Sequence, residues 1–441
     1  MPLDAPGLHG DDPRPLIVGA ITLNTGDAAI AQGVATFLQN VSPRWQQPVV
    51  VDRDPDDAAK NAPDLAFGAR WWRGTAPQIR WDSNSPHWRA ARLMNRGRRR
   101  AVRTFYPRLR RPARLLETTN ESTLLDLIHR APVNAVTGGT NFVDHYAWEE
   151  RLDDLDLLRR ARRPYFFATQ TMGPFLRASD GYAALARVLD GAELVMVRDQ
   201  RTLDAVERLT TSSEAVIAPD MAFLADVGMM DPLGKAESTQ HSTDRPLRIG
   251  LSVREWRHNS GSDPDTQVER FEIEMARFIE LAVRDLGAEF TFVSTCQGVS
   301  SYIDDSKMAK RIALRVHDAA RPSISIDDAH FTPTTLVRCW QQQDFVISTR
   351  MHGAILSWMA GVPALAIDYE HKARDLFDRH GLGEAVVDYS SLDARRLLAK
   401  TQAMLDDLSA WQERVARVVV QERRQLEELA HYVGSRIARS V

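Results

Sequence analysis

Short runs that are apolar at consecutive rather than alternate positions recur along this chain, and stretches with helical spacing separate them. They are LIVGAITL from Leu16, PVVVD from Pro48, NAVTGG from Asn134, PYFFATQ from Pro164, ELVMVRD from Glu193 and AVIAPD from Ala215. LRIGLSVR from Leu247, FTFVSTC from Phe290, DFVIST from Asp344 and PALAID from Pro363 follow. A strand with one face in water alternates apolar and polar residues, whereas a strand covered on both faces reads as a continuous run. Runs of this kind interleaved with helices predict parallel sheets sandwiched by helices, hence an α/β fold. At 441 residues the chain exceeds what one core usually organises. The expectation is therefore two doubly wound domains.

Periodicity fades between Phe223 and Pro246, where Gly, Pro, Ser and Thr collect. This places a first domain over 1–230, a linker over 231–246, a second domain over 247–393 and C-terminal helices over 394–441. Lys+Arg number 56 against 59 Asp+Glu, so the chain has no general basic excess and no nucleic-acid partner is expected. Cys296 and Cys339 lack metal-ligand spacing and read as buried free thiols; no metal is expected. The first residues lack a signal-peptide pattern and no long apolar run occurs, which makes a cytoplasmic protein the expectation. One stretch is unusual: between Asp82 and Glu117 stand eleven arginines and no acid, interleaved with Trp88, Leu93, Met94, Phe105 and Tyr106. It reads either as a basic surface for peripheral contact with anionic lipid or a lipid-linked glycan carrier, or as a solvated insertion.

Chemistry concentrates in DFVISTRMHGAILSWMAGVPALAIDYEHKARDLF, from Asp344 to Phe377. A buried strand ends at Ser348 and a helix is expected near Gly353, so Arg350 and His352 lie between a strand C-terminus and a helix N-terminus. Ligands of open parallel sheets bind at that edge, and unpaired helix N–H groups there favour anions. Arg350 brings a planar fork matched to carboxylate or phosphate, and His352 brings a donor or a transferable proton. Tyr369 and Lys372 follow the next strand, and Arg254 closes LRIGLSVR in the equivalent position.

Other strand ends carry further candidates. After the first strand come Asn24, Gly26 and Asp27, with Asp27 either capping the helix or acting as a base on a sugar hydroxyl. Gly138, Gly139 and Gln170 are candidate backbone and amide contacts for a ligand in the cleft. Arg198 is either an anion ligand or half of a buried pair with Asp199, and Asp220 sits at another strand end as a second base candidate. Phosphate loop, GxGxxG, GxSxG and HExxH signatures are absent from the sequence.

In this order the motifs resemble the polysaccharide pyruvyl transferase family. They read N-x-G-D-x-A-I from Asn24, G-G-x-x-F from Gly138, Q-x-x-G-P from Gln170, R-D from Arg198 and P-D-x-A-F from Pro219. Then come S-x-R-M-H-G from Ser348, G-V-P from Gly361 and Y-x-x-K from Tyr369. Met351 stands where the family has Leu, and Thr202 where it has Ser. The resemblance implies two Rossmann-like domains facing a cleft, a glycosyltransferase-B-like α/β architecture. It also implies transfer of a carboxyethylidene group from phosphoenolpyruvate, a co-substrate with no further cofactor, to a sugar diol of a glycan or lipid-linked precursor. A pyruvate ketal and phosphate are formed.

On that reading Arg350, Arg254, Arg198, Lys372 and Ser348 hold the donor anion. His352 is the acid or a phosphate ligand, Asp27 or Asp220 the base, and Asn24, Gly138, Gly139 and Gln170 face the acceptor. Arg350→Lys is expected to weaken donor binding and leave folding untouched. Two alternatives remain: a nucleotide-sugar glycosyltransferase using Glu370 and Asp378, and a non-catalytic glycan- or membrane-binding protein.

Overall fold

Every described strand pair in this computed structural model is parallel. The structure describes residues 13–52, 54–69, 127–143, 152, 155, 158–159, 162–173, 175, 180–210, 212–228, 245–257, 263–296, 304–370 and 372–440. The arginine-rich segment 82–117 and most of the expected linker 231–246 lie outside these residues.

The chain forms two compact units. The first runs to Thr22, resumes over Ile30–Met221 and takes up the chain again from Leu426; the second comprises Leu23–Ala29 and Ala222–Gln425.

The first unit's sheet holds β1 (Leu16–Ala20), β2 (Val49–Asp52), β3 (Ala66–Ala69), β4 (Asn134–Val136), β5 (Gly139–Phe142), β6 (Tyr165–Met172), β7 (Val195–Val197) and β8 (Ala215–Ile217). Its order is β3-β2-β1-β4-β6-β7-β8, with β5 beside β6. Strands β1, β2, β4 and β7 are buried along their whole length, as continuous apolar runs require. From Leu426 the last helix joins this unit, where Tyr432 and Arg436 bond Glu214.

The second sheet holds β9 (Leu247–Ser252), β10 (Ala288–Val293), β11 (Ile324–Asp327), β12 (Phe345–Ser348), β13 (Ala364–Asp368) and β14 (Val386–Asp388), in the order β11-β10-β9-β12-β13-β14. Both sheets run outward from a central strand, return beside it and continue the other way. That is the doubly wound Rossmann order, with its reversal at β1/β4 in one unit and β9/β12 in the other.

Helix ends follow local chemistry. The helix Pro264–Leu286 starts with Asp263 accepting from Thr266 N and Pro264 at its first position, and stops at Gly287 with φ 61°. A reciprocal Thr332–Thr335 capping box opens Pro333–Trp340. Among the described residues no helix is long and apolar enough to cross a membrane. Both cysteines are free; Cys296 is buried, whereas Cys339, expected to be buried, is half-exposed because it lies on that amphipathic helix.

Candidate functional site

The reversal point of the second sheet gathers the charged residues. Thr349 N donates to Ser252 O at 2.8 Å, binding the ends of β12 and β9 together. The helix Met351–Met359 starts two residues earlier than expected. Ser348 Oγ bonds both the N–H and the carbonyl of Arg350, at 3.1 and 2.8 Å. Ser348 is 1% exposed, so it shapes this turn rather than facing an anion. A Cβ on Gly353 would sit 2.4 Å from Ser348 Oγ, so the close approach of helix to strand requires glycine there. Arg350 is thus the helix N-cap residue, and His352 lies half-exposed in the first turn.

Arg350 is 8% exposed, and its fork is engaged: Nε donates to Asp305 Oδ2 at 2.9 Å and Nη2 to Asp305 Oδ1 at 2.7 Å. Asp305, at the start of helix Asp305–Arg315, is 1% exposed. Burial pushes its carboxyl above the ordinary aspartate range, while Arg350, Arg254 and Thr295 pull against that shift. Sequence reading missed Asp305, because nothing in YIDDSK marks one of two adjacent acids as buried. The expectation that Arg350→Lys leaves folding untouched is corrected here, since the fork satisfies a buried carboxylate.

Arg254, two residues past β9, donates from Nη1 to Tyr369 Oη at 2.7 Å. Its guanidinium carbon lies 5.2 Å from the Trp256 ring centroid and 5.3 Å from that of Tyr369, against a pair of rings whose own centroids are 4.4 Å apart. Cys296 borders the same group, and burial raises its thiol to about 12, which makes it inert as a nucleophile. Lys372 pairs with Glu370 at 2.6 Å.

The segment Leu23–Ala29 completes this unit's constellation. Thr25 N donates to Thr295 O at 3.0 Å and Thr25 Oγ1 to Phe331 O at 2.8 Å. The helix starting there, Thr25–Val41, is capped by Asn24 and not by Asp27: Asp27 N donates to Asn24 Oδ1 at 2.9 Å. Asn24 Nδ2 in turn donates to the half-exposed Asp27 carboxylate at 2.6 Å. An Asn is the better cap because it precedes the first turn, while Asp27 already lies within it. A Cβ on Gly26 would stand 2.7 Å from His352 Nδ1 and 2.8 Å from its Cβ and Cγ, so the backbone of this turn lies directly against the imidazole.

The remaining candidates belong to the first unit. Arg198 pairs with Asp220 at 2.8 Å, both nearly buried, while Asp199 caps Gln200–Leu209; the expected Arg198–Asp199 pair is corrected accordingly. Gln170 is fully buried and donates to Thr137 O, bracing strand ends rather than presenting an amide to an acceptor. Gly139 has φ 116°, and a Cβ on Gly138 would meet Thr169 O at 2.9 Å, so both are required by the backbone path. Asp220→Asn should lower the denaturation midpoint, because it removes a charge from a buried pair while keeping one acceptor, at a cost of about 1–3 kcal/mol. If activity falls while thermal denaturation is unchanged, a base role is favoured instead.

Comparison with known proteins agrees with this arrangement. The chain is 28% identical over 322 residues to the amylovoran biosynthesis protein AmsJ of Erwinia amylovora, covering 72% of this chain and 75% of that protein. Its fold resembles UDP-GlcNAc 2-epimerase from Neisseria meningitidis, with TM-score 0.53, 9% identity and 93% and 99% of the two chains covered. It also resembles a glycosyltransferase from Rickettsia africae, with TM-score 0.52, 11% identity and 97% and 99% covered. Two Rossmann-type sheets with these neighbours make the fold glycosyltransferase-B-like. The sequence model of the polysaccharide pyruvyl transferases matches residues 24–371, from the Asn24 cap past the Arg350–His352 turn, and the chain belongs to that family of transferases.

Proposed function

We propose that this enzyme transfers the carboxyethylidene group of phosphoenolpyruvate to two hydroxyls of a glycan or glycan precursor, forming a pyruvate ketal and releasing phosphate. The observation that carries this reading is the grouping of Arg254, Arg350 and His352 at the β9/β12 reversal, where a doubly wound sheet binds its ligand. Two fixed guanidinium groups and a helix N-terminus suit a donor that carries both a carboxylate and a phosphate.

In this scheme His352 delivers a proton to the enol methylene carbon, and the adjacent carbon gains oxocarbenium character. One sugar hydroxyl attacks that carbon, phosphate departs, and the second hydroxyl closes the ketal. Asp27 is the base of choice for the acceptor hydroxyls, because it is half-exposed and held by Asn24, whereas Asp220 is 3% exposed and paired with Arg198. The site needs no metal or further cofactor for these steps. The arginine-rich segment 82–117 would bring the enzyme to a lipid-linked acceptor at an anionic surface.

Purified protein incubated with phosphoenolpyruvate and a panel of glycan acceptors should release phosphate and yield an acceptor with the mass of a pyruvate ketal. Phosphoenolpyruvate should raise the melting temperature and nucleotide sugars should not, since a ligand of the folded state stabilises it. Stabilisation by a nucleotide sugar with no phosphate release would replace this reading by sugar transfer.

A further inference from the structure

A second group of cations lies away from the residues just described, on the outer side of β14. This strand pairs with β13 alone among the described residues, and a cavity of about 260 Å³ opens along it. The walls include Arg374 from the helix Lys372–Arg379, and Arg396 and Lys400 from the helix Ala394–Asp406. Arg396 and Lys400 are four residues apart and so share one helix face.

The two carboxylates in the wall each bond the backbone through one oxygen. Asp388 Oδ1 accepts from Ser390 N at 2.8 Å and from Ser391 N at 3.2 Å, and Asp393 Oδ1 accepts from Arg396 N at 2.8 Å as the helix cap. Arg374 Nε stands 4.0 Å from Asp368, a loose pair, and Lys400 Nζ donates to the neutral carbonyl of Glu384. The Arg396 guanidinium makes no hydrogen bond or ion pair among the described residues.

We propose that this cavity is a phosphate-binding site, taking a small phosphorylated sugar, and that it is separate from the Arg254–Arg350–His352 centre. Three cationic side chains stand against two carboxylates in the wall, so an incoming anion meets an excess of positive charge. The volume falls just under the range of about 300–1,000 Å³ for pockets of drug-sized ligands, so the occupant is compact. Ser391 and the Asp388 and Asp393 carboxylates offer polar partners for sugar hydroxyls. Burial of the Lys400 ammonium, reinforced by Arg396 and to a smaller degree by Arg374 against an opposing pull from Glu384, lowers it below the ordinary lysine range.

Lysine of this kind beside arginines invites a direct probe. Pyridoxal 5′-phosphate carries a phosphate and an aldehyde; the aldehyde carbon condenses with Nζ with loss of water, and borohydride reduces the imine to a stable amine. Only six lysines occur in the chain, Lys60, Lys235, Lys307, Lys310, Lys372 and Lys400, so peptide mapping assigns the label without ambiguity. With limiting reagent on the full chain, label should concentrate at Lys400, and pyridoxal lacking the phosphate should label it about tenfold less, the value of one charged hydrogen bond.

Glucose 1-phosphate should protect Lys400 at lower concentration than inorganic phosphate; equal protection would identify free phosphate as the occupant and remove the sugar from the proposal. Arg396→Gln should cut labelling at Lys400 about tenfold while leaving the other lysines and the melting temperature unchanged. Label that falls chiefly on Lys372, or spreads over the exposed lysines without protection, or is indifferent to Arg396→Gln, overturns the site.

Discussion

Arg350→Ala is expected to lower the stability of the second unit by about 3–5 kcal/mol, because it strands the Asp305 carboxylate in a site where water does not reach it. Against a total of about 5–15 kcal/mol for a folded domain, that is a large fraction. Arg350→Lys should recover part of this loss, since it keeps the charge but offers one nitrogen where Asp305 receives two. The double replacement Arg350→Met with Asp305→Leu should be more stable than either single variant, as a well-packed apolar pair avoids the desolvation of both ions. Urea denaturation of the four proteins completes a double-mutant cycle and gives the coupling directly. An Arg350→Ala protein with an unchanged urea midpoint would mean that the pair contributes nothing to folding.

The pair also bears on the chemistry proposed. A guanidinium already clasped by a buried carboxylate cannot swing, so the face it turns to a donor is set before the donor arrives. Asp305→Asn should therefore lower turnover and donor affinity even though Asp305 itself is too deeply buried to meet substrate. Retention of full activity in Asp305→Asn would confine the pair to a folding role.

Gly26→Ala is expected to reduce turnover about a hundredfold and to lower stability as well. Its Cβ would intrude within 2.7–2.8 Å of three atoms of His352, well inside van der Waals contact. Rotation of the half-exposed imidazole moves Nδ1 and Cγ aside but not Cβ, so the turn itself must shift, and a displacement of about 1 Å in a reacting group costs on the order of 10²-fold in rate. Stability falls because the His352 Cβ is fixed to its backbone, while the better helix propensity of alanine at this first-turn position of negative φ is worth only about 1 kcal/mol. The displacement is readable without an activity assay: in protein labelled with ¹⁵N-histidine, one imidazole pair of resonances should move and the others stay. Unmoved resonances together with normal turnover would show that the Gly26 turn does not position His352.

The ten apolar runs marked in the sequence became strands, most of them covered on both faces, where burial on two sides leaves no polar position to interrupt the run; β8, at the edge of its sheet, is only partly covered. The strands that escaped notice, β3, β5, β11 and β14, have short or partly exposed sequences: AFGA, GTNF, ISID and VVD. All four close an edge or lie off the main strand order, where one side needs no cover and the apolar signature weakens. Arg254, Arg350 and His352 were legible because strand ends in an α/β chain point to one edge of the sheet wherever they occur in sequence.

What the amino-acid order determined by itself is therefore periodic or local: doubly wound sheets, strand-end motifs, helix caps and the family likeness they spell out. Pairing was decided only in three dimensions. Asp305 finds Arg350 across 45 residues, Arg198 takes Asp220 rather than the adjacent Asp199, and Gly26 meets an imidazole more than three hundred residues away. Such partners carry no mark in the local sequence, because an acid that caps a helix and an acid that neutralises a buried guanidinium are the same residue until packing removes water from one of them.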